Sequence, residues 1–357
     1  KQKESFDDFE VELTPGMFTG QKTIPVEKAG VYVPAGRFPL VSTVVMTVPP
    51  AVAAGVKEIV LCTPPRVHPD DKAKALAEGT GVPGKAFVGG KPYADEGIMA
   101  AAYICGVRKC YACGGSQAIA AMAYGTESVT KVYKIFGPGN RFVTEAKRQV
   151  CEGKVSIDMP AGPSEGLVIA DENANPRFVA SDFLSQAEHG PDSQSILLTT
   201  SEDFAQKLPS VIEELLSTLP RQEMMKKSLS HSRIIVLRND DEIMAFSNED
   251  APEHLIINHA EADALAQKVE NAGSVFLGAY SPESAGDYAS GTNHTLPTSG
   301  YAHSYSGVNL DSFCKKITFQ RLTADGLNSI GNAIEIMAEN EDLMAHRLAV
   351  TVRLEDR

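Results

Sequence analysis

Two polar side chains at the end of one predicted helix have the spacing of a metal-ligand pair. Gln186 and His189 lie three residues apart, and positions i and i+3 share one face of a helix. An imidazole nitrogen is a common zinc ligand, and a glutamine carbonyl oxygen is a rarer, harder one. A histidine at a helix end is more often a capping or surface residue. The pair therefore indicates a metal site only if further ligands join it.

A carboxylate directly beside an imidazole forms a second constellation. Glu253 and His254 follow Pro252. In a strand the two neighbours would face apart, but on a turn after the proline both side chains can reach one pocket. An imidazole moves protons near neutral pH, and a partly desolvated carboxylate can activate water. The alternative for these residues is an ordinary polar loop.

Two further groups of polar residues lie towards the C-terminus. Residues 286–294, which include Asp287, form a predicted glycine-rich loop after a strand that ends at Gly278. Ligands commonly bind at the carboxyl end of such a strand. Glu341 and His346 flank a short stretch in a predicted helical region, where isolated polar side chains normally face solvent.

The elements that must position these groups alternate between strands and helices. This rhythm predicts parallel sheets with right-handed crossovers. Residues 1–31 are predicted to be extended, and residues 311–357 mostly helical, with breaks at Gly326 and Gly331. The clearest predicted elements are helix 42–54, strand 56–62, helix 118–124, strand 132–135, helix 141–150, helix 175–189, strand 195–200, helix 205–218, strand 233–237 and strand 274–278.

Three glycine-rich turns are candidate phosphate sites. Gly79–Gly84 matches G-x-G-x-x-G, but it follows a charged helix and contains Pro83, so we interpret it as a surface loop rather than a dinucleotide fingerprint. The turns at 113–117 and 136–140 each follow a strand and begin a helix, where backbone N–H groups favour an anion. Turns of this kind also occur for purely steric reasons.

Composition restricts the class of protein. A chain of 357 residues with 43% hydrophobic and 22% charged residues is predicted to form two α/β domains with a small appendage. A net charge of −13 disfavours nucleic acid or an anionic membrane as a partner. No apolar run is long enough to span a bilayer, and residues 1–5 lack the apolar segment of a secretory signal. We therefore expect a cytoplasmic protein.

The six cysteines are predicted to be reduced, buried thiols. Cys105, Cys110 and Cys113 have the spacing C-x4-C-x2-C, which also begins a plant-type iron–sulfur signature. Cys105 ends a predicted buried helix, and the other two lie in or beside a predicted short strand. A cluster-binding loop should instead be exposed and rich in glycine, so structural thiols are favoured.

Several separated strings together resemble the histidinol dehydrogenase family. The resemblance runs from about Phe6 to the end of the chain, and the strings occur in the family's order. It implies an α/β fold with two incomplete Rossmann-like domains and a small, mostly helical C-terminal segment. The strings are KIFGPGN (134–140), DMPAGPSE (158–165), SQAEHGPDS (185–193), APEHL (251–255), SPESAGDYASGTNH (281–294) and AHRLAVTVR (345–353).

The resemblance also implies domain boundaries and a function for each domain. Residues 1–31 with 164–308 are expected to form the substrate and zinc domain, residues 32–163 the NAD-binding domain, and residues 309–357 a C-terminal helical dimerisation segment. The family has a longer helical N-terminal region than this chain. Residues 67–94 are expected to be an insertion in the NAD-binding domain.

Site residues follow from the resemblance position by position. Glu253 and His254 match the catalytic pair, and Tyr32, Gln117 and Asn140 match the NAD-contacting positions. The zinc ligands, for one Zn²⁺ per subunit, match Gln186, His189, Asp287 and His346, the last donated by the partner subunit of a homodimer with shared active sites. The residues around the substrate match Ser164, Gln186, His189, His254, Asp287, Glu341 and His346.

The implied reaction is a four-electron, NAD-dependent oxidation of L-histidinol through L-histidinal to L-histidine, the last steps of histidine biosynthesis. One alternative is a related zinc- and NAD-dependent enzyme that oxidises another small polar alcohol, such as sulfopropanediol. Ser164 and Glu341, which would meet the amino-alcohol end of histidinol, favour histidinol. A second alternative is a non-catalytic zinc protein, which would give no reason for Glu253 to stand beside His254.

Overall fold

The protein divides into two compact units. The computed structural model describes residues 8–35, 39–66, 93–153 and 155–355. The larger unit is Glu27–Ser312, and the smaller unit combines Lys1–Val26 with Phe313–Arg357. No helix among the described residues is both long enough and apolar enough to cross a membrane.

The larger unit begins with a five-stranded parallel sheet, numbered along the chain, whose strand order is β5-β4-β3-β6-β7. Short apolar runs form these strands because helices cover the sheet, as in other parallel sheets. Its strands are β3 (Lys28–Tyr32), β4 (Glu58–Thr63), β5 (Cys110–Ala112), β6 (Lys134–Phe136) and β7 (Ser156–Ile157), and its helices are α1 (Val41–Ala54), α2 (Glu96–Ile104), α3 (Gly115–Tyr124) and α4 (Arg141–Cys151).

A second parallel sheet of the same unit has the order β10-β9-β8-β11-β12. Strand β11 is buried along its whole length, and Asn175 caps the helix that follows β8, with Pro176 in its first turn. The strands are β8 (Glu165–Ala170), β9 (Gln194–Thr199), β10 (Arg233–Val236), β11 (His254–Asn258) and β12 (Ser274–Leu277), and the helices are α5 (Pro176–Ala187), α6 (Glu202–Leu216), α7 (Gln222–Leu229), α8 (Asp240–Asp250), α9 (Ala262–Ala266) and α10 (Glu283–Tyr288).

Both sheets have one topology. In each, the first strand lies at the centre, the next two build outwards on one side, and the last two build on the other side. This is the doubly wound order of a Rossmann fold without its sixth strand. The predicted pair of incomplete Rossmann-like domains is therefore confirmed.

The smaller unit contains an antiparallel sheet, β1-β2-β13, and two helices. Its elements are β1 (Phe9–Thr14), β2 (Met17–Pro25), β13 (Cys314–Leu322), α11 (Ala324–Asn340) and α12 (Met344–Glu355). The chain ends thus meet through strand pairing: β13 pairs with β2 along its whole length.

Some local sequence interpretations differ from the structure. Residues 314–322 form a strand rather than a helix, because β2 supplies a partner that is remote in the sequence. Residues 17–25 pair with that strand and with residues 9–14, whereas residues 28–32 join the first sheet, so segment 1–31 contributes to two sheets. The other domain boundaries remain predictions.

The predicted helix breaks at Gly326 and Gly331 and the predicted loop at Asp287 are wrong. Helix α11 continues through Gly326 and Gly331, so neither residue breaks it. A Cβ atom at Gly326 would lie 2.2 Å from the Gly16 carbonyl oxygen, and one at Gly331 would lie 2.8 Å from Leu354. These glycines therefore allow close packing. Asp287 lies in the short helix α10 rather than in a loop.

The predictions for the G-x-G-x-x-G turn, Gly79–Gly84, and for nearly all of the 67–94 insertion lie outside the described residues.

Candidate active site

Tyr32 lies at the carboxyl end of the central strand β3 and joins two glycine-rich turns. Its hydroxyl accepts a hydrogen bond from the Gly115 amide at 3.1 Å. On the other side, Gly137 has φ +117°, and a Cβ atom there would lie 2.1 Å from the Tyr32 carbonyl oxygen. Burial raises the pKa of Tyr32, so the phenol is neutral. The strand order reverses direction between β3 and β6. Doubly wound sheets bind nucleotides at the carboxyl ends of the strands at such a point.

Each of the two turns begins a helix. Gln117 is exposed in the first turn of α3. Asn140 is the N-cap of α4, where its side chain accepts hydrogen bonds from the Phe142 amide at 3.1 Å and the Val143 amide at 3.2 Å. The positive ends of both helix dipoles therefore lie beside Tyr32, an arrangement that suits an anionic pyrophosphate. The structure thus brings Tyr32 together with the turns that carry the other two predicted NAD contacts.

The Glu253–His254 pair lies at the amino ends of the strands of the second sheet. Glu253 immediately precedes β11, and Ser164 immediately precedes β8. The two strands are parallel, and His254 is paired with Gly166. These groups therefore lie at the amino ends of the strands, not at the carboxyl ends where ligands of such sheets usually bind.

Both members of the pair are buried, Glu253 at 7% and His254 at 2% exposure. The Ser164 hydroxyl donates to Oε2 of Glu253 at 2.6 Å, and the Glu165 amide donates to the same oxygen at 3.0 Å. Nδ1 of His254 lies 3.6 Å from it. Burial raises the pKa of Glu253, against the opposing effects of His254 and Ser164, so this carboxyl group can exchange a proton closer to neutral pH than an ordinary glutamate.

A group of potential metal ligands adjoins this pair. One ligand atom from each of His189, Glu283 and Asp287 lies within 4.8 Å of the others. Nε2 of His189 is 3.2 Å from Oε1 of Glu283, and Nε2 of His254 is 3.9 Å from Oδ1 of Asp287. This is the only group of three or more histidine, cysteine or acidic side chains with metal-site spacing in the described ranges.

The C-terminal end of helix α5 brings Gln186 to the same place. Gln186 is 1% exposed, and its amide nitrogen donates to the Ser164 hydroxyl at 2.7 Å. Its carbonyl oxygen Oε1 is buried and has no hydrogen-bond partner among the described residues. A buried orphan acceptor is costly, and a cation would satisfy it.

The site carries an excess of buried negative charge. Burial and the charge of Glu283 raise the pKa of Asp287, and the same two causes raise that of Asp182 to about 7. Burial alone would lower the pKa of His189, but the hydrogen bond and charge of Glu283 outweigh it and raise that pKa. Among the described residues, no lysine or arginine pairs with these carboxylates. The arrangement therefore favours a bound divalent cation.

Sequence reasoning did not single out Glu283 and Asp182. Glu283 is 1% exposed, and its Oε2 atom has no hydrogen-bond partner among the described side chains. Each residue lies four positions before a predicted ligand, Asp287 and Gln186 respectively. Because i and i+4 share a helix face, this spacing was a signal that could have identified both.

Two predicted site residues belong to the smaller unit. Glu341 follows α11 as its C-cap, and His346 lies in the first turn of α12. Both side chains are exposed. The group of His189, Glu283 and Asp287 belongs to the larger unit and includes neither of these two residues.

The predicted cysteine chemistry has a clear outcome in the structure. All six thiols are free; Cys62 is buried, Cys151 is exposed and the others are half-buried. Burial raises the pKa of Cys110 to about 11, and Cys105, Cys110 and Cys113 do not form a group with metal-site spacing. The iron–sulfur alternative therefore receives no support.

The two sheet edges that carry these groups are connected directly. Residues 158–164 run from the carboxyl end of β7 to the amino end of β8. The Asn293 side chain, beyond α10, donates to the Met46 carbonyl of α1 at 2.7 Å. The nucleotide-type crevice and the acid–base pair thus belong to neighbouring parts of one unit.

Comparisons with known proteins agree on one family. The family model described as "Histidinol dehydrogenase" matches residues 1–92 and 89–354. A histidinol dehydrogenase of Bacteroides fragilis is 52% identical over 98% of this chain and 77% of its own length. One of Haemophilus influenzae is 51% identical over 97% of this chain and 75% of its own length.

A solved structure agrees with the sequence matches. The crystal structure of histidinol dehydrogenase from Elizabethkingia anophelis is 48% identical, with a TM-score of 0.90, over 99% of this chain and 77% of that one. A betaine aldehyde dehydrogenase from Staphylococcus aureus has a TM-score of 0.53 at 12% identity, over 90% of this chain and 73% of that one. The second likeness shows the fold alone.

Proposed function

Because the chain belongs to the histidinol dehydrogenase family and is an NAD-dependent oxidoreductase acting on histidinol, we propose that it performs the full oxidation to histidine in one zinc-containing site. That site would be formed by Gln186, His189 and Asp287 beside Glu253 and His254. The relatives are named for histidinol, so sulfopropanediol as the substrate gains no support from them.

The observation that carries the zinc proposal is a close set of donors without a lysine or arginine partner, one of which is a buried oxygen with no hydrogen-bond partner among the described residues. The orphaned oxygen of Gln186 and the close approach of His189 and Asp287 provide an amide oxygen, an imidazole and a carboxylate. Nitrogen and oxygen ligands of this kind suit Zn²⁺, which is usually four-coordinate. When bound, the ion supplies a fixed positive charge that orients the nitrogen atoms of the substrate.

His346 supplies the fourth ligand in this proposal, from a second copy of the chain. The three ligands of the larger unit would not by themselves complete the coordination of Zn²⁺, which takes at least four ligands. In a homodimer with shared sites, the exposed His346 of one subunit would complete the site of the other. Glu341 of that same subunit would meet the amino-alcohol end of histidinol together with Ser164.

NAD is the second substrate and would bind in the crevice at Tyr32. Gln117 and Asn140 stand at the starts of α3 and α4, where the positive ends of the helix dipoles would favour a pyrophosphate without a standard glycine fingerprint. NAD⁺ accepts the hydride. In this proposal the residues of the crevice would position the dinucleotide and would take no part in the proton transfers.

His254 is the base of the first oxidation in this proposal. Its ring nitrogens are buried and have no hydrogen-bond partner among the described residues. His254 would take the proton of the substrate hydroxyl while the carbon loses a hydride to NAD⁺, which yields the aldehyde. Glu253, held by Ser164 and Glu165, stabilises the resulting imidazolium.

The second oxidation requires water. Glu253, whose pKa is raised by burial, would take a proton from water as it adds to the aldehyde, while the His254 imidazolium returns its proton to the aldehyde oxygen; this gives the hydrate and a neutral His254. His254 then accepts a hydroxyl proton of the hydrate while a second NAD⁺ takes the hydride. The balance is one alcohol, one water and two NAD⁺ to one carboxylate, two NADH and three protons.

Counting NADH tests this proposal. The zinc-loaded protein should form two NADH per L-histidinol under limiting substrate, with L-histidine as the product. Sulfopropanediol should give none. One NADH per histidinol with free aldehyde as the product would contradict the two-step proposal, and no NADH formation would contradict the proposed function.

A further inference from the structure

A buried ion pair outside the site described above joins helix α4 to the end of β7. Lys147 is 5% exposed, and its ammonium group contacts the Asp158 carboxylate, whose side chain has no exposure. The lysine and arginine ion pairs elsewhere in the described residues all involve more exposed side chains. Two opposite charges buried together commonly stabilise a fold no better than apolar residues would. The pair therefore needs another explanation.

Both members of the pair bind the backbone of one residue, Gly137. Nζ of Lys147 donates to the Gly137 carbonyl at 2.9 Å. The Gly137 amide donates to Oδ2 of Asp158 at 2.8 Å, and the Met159 amide donates to Oδ1 at 2.8 Å. Gly137 thus has its carbonyl held by the cation and its amide by the anion.

An apolar pair could not make these contacts. Gly137 follows β6 and is itself buried, so its amide and carbonyl need partners. Its φ of +117° excludes continued strand geometry, and the Tyr32 carbonyl leaves no room for a Cβ atom at this position. A donor and an acceptor on one side of the turn satisfy both groups, and their charges cancel. The turn is therefore fixed without net charge beside an anionic ligand.

We propose that Lys147 and Asp158 are positioning residues for the dinucleotide. They fix Gly137, and through the three residues that follow they fix Asn140 and the first amides of α4 against Tyr32. This inference rests on the proposed NAD site. It assigns the affinity for the dinucleotide partly to two side chains that do not touch it.

The double variant Lys147→Met/Asp158→Asn tests the proposal without leaving one buried charge unpaired. The methionine cannot donate to the Gly137 carbonyl, while the asparagine can still accept from the Gly137 amide. The matched control is Glu145→Gln/Arg148→Gln, which removes an exposed ion pair on the same helix. Zinc-loaded proteins should be compared by equilibrium dialysis with NADH, by the KM values for NAD and for histidinol, by amide exchange of a peptide spanning 134–143, and by thermal unfolding.

In the Lys147→Met/Asp158→Asn variant we expect the Kd for NADH to rise about 10- to 100-fold, the cost typical of a small misplacement of a binding element. The KM for histidinol and the zinc content should stay unchanged, and amide exchange at 134–143 should accelerate. The control should match the parent in all of these measurements.

An unchanged Kd for NADH in a folded double variant overturns the inference. So does a parallel rise in both KM values that follows the loss of thermal stability, because that result indicates a merely structural pair. If the single variant Asn140→Ala weakens NADH binding and the double variant does not, only the inference fails. If neither variant has an effect, the proposed NAD site fails as well.

Discussion

At the scale of single residues, the site is defined by carboxylates whose charges are not balanced within the larger unit. Glu253, Glu283 and Asp287 surround His189 and His254, and each of the three carboxyl groups lies within 4 Å of an imidazole nitrogen. Two histidines alone cannot neutralise these buried carboxylates and Asp182. Burial raises the pKa of Glu253, and burial together with the charge of Glu283 raises the pKa of Asp287.

Replacing Glu253 tests its role in proton transfer. Glu253→Gln keeps an oxygen that can accept from Ser164 and Glu165, so folding and zinc content should be unchanged. We expect kcat to fall about 10²- to 10⁴-fold, because proton transfer by a positioned group contributes about that much. Steady-state rates with histidinol and with histidinal measure it. The exposed Glu172→Gln is the control, and a variant with parental kcat would refute the assigned role.

Replacing Glu283 separates metal binding from stability. Oε1 of Glu283 holds the ring of His189, and partners of ligating histidines commonly contribute about 10- to 100-fold in metal affinity. Glu283→Gln should therefore raise the zinc Kd by about that factor. It should also raise the thermal stability of the metal-free protein, because one of several like buried charges is removed.

Competition with a chelator gives the zinc Kd of the Glu283→Gln variant, and calorimetry without metal gives its stability. An exposed variant, Glu172→Gln, should change neither. Parental zinc affinity together with lower metal-free stability would show that Glu283 serves the fold rather than the metal.

At the scale of elements, the acid–base pair lies at the amino ends of β8 and β11. The sequence pattern did not show at which end of these strands the polar residues would meet. Strand β8 was predictable from its apolar run, and so was the start of α5 from Asn175 and Pro176. Residues 251–255, which include the start of β11, were interpreted as a turn or polar loop. That Glu253 would lie at the amino end of the second sheet was not predictable. The edge at which a strand presents its polar residues depends on the pairing of β8 with β11, which is a non-local property.

Glu165, at the start of β8, is hydrogen-bonded to the segment at 298–300. Its titration should make the free energy of unfolding depend on pH. Its carboxylate accepts a hydrogen bond from the Ser299 amide, and burial raises the pKa of Glu165 to about 7 from its ordinary 4.5. Because the folded protein binds the Glu165 proton more tightly than the unfolded chain does, this group adds most to the free energy of unfolding at a pH below its pKa in the unfolded chain. Its contribution to stability is lost as the pH rises through about 4.5 to 7.

Glu165→Gln should flatten this pH dependence, because the neutral amide can keep the Ser299 contact without titrating. Urea unfolding of the metal-free protein at several values of pH across this window measures the slope. The parent and Glu172→Gln should both lose more stability with rising pH than Glu165→Gln does. Equal slopes in all three proteins would contradict the assigned pKa shift.

At the scale of the whole molecule, two five-stranded sheets of one topology account for the larger unit, and the chain ends form the smaller one. The β–α alternation predicted the two sheets correctly. Strand β13 was not predicted, because its sequence, Cys314–Leu322, alternates weakly and takes its strand form from pairing with β2. Residues that depend on remote pairing or on a second chain are those that a single sequence specifies least.

The central claim is that each zinc site takes Gln186, His189 and Asp287 from one chain and His346 from another. Mixing two inactive variants, His189→Asn and His346→Asn, tests it most directly. In a mixed dimer, one site would lack both histidines, whereas the other would contain His189 from one chain and His346 from the other. We predict that mixed dimers, separated by different affinity tags, retain one chelator-resistant zinc per dimer and recover histidinol oxidation, while neither parent variant does. Mixed dimers that stay inactive and free of zinc would contradict the account.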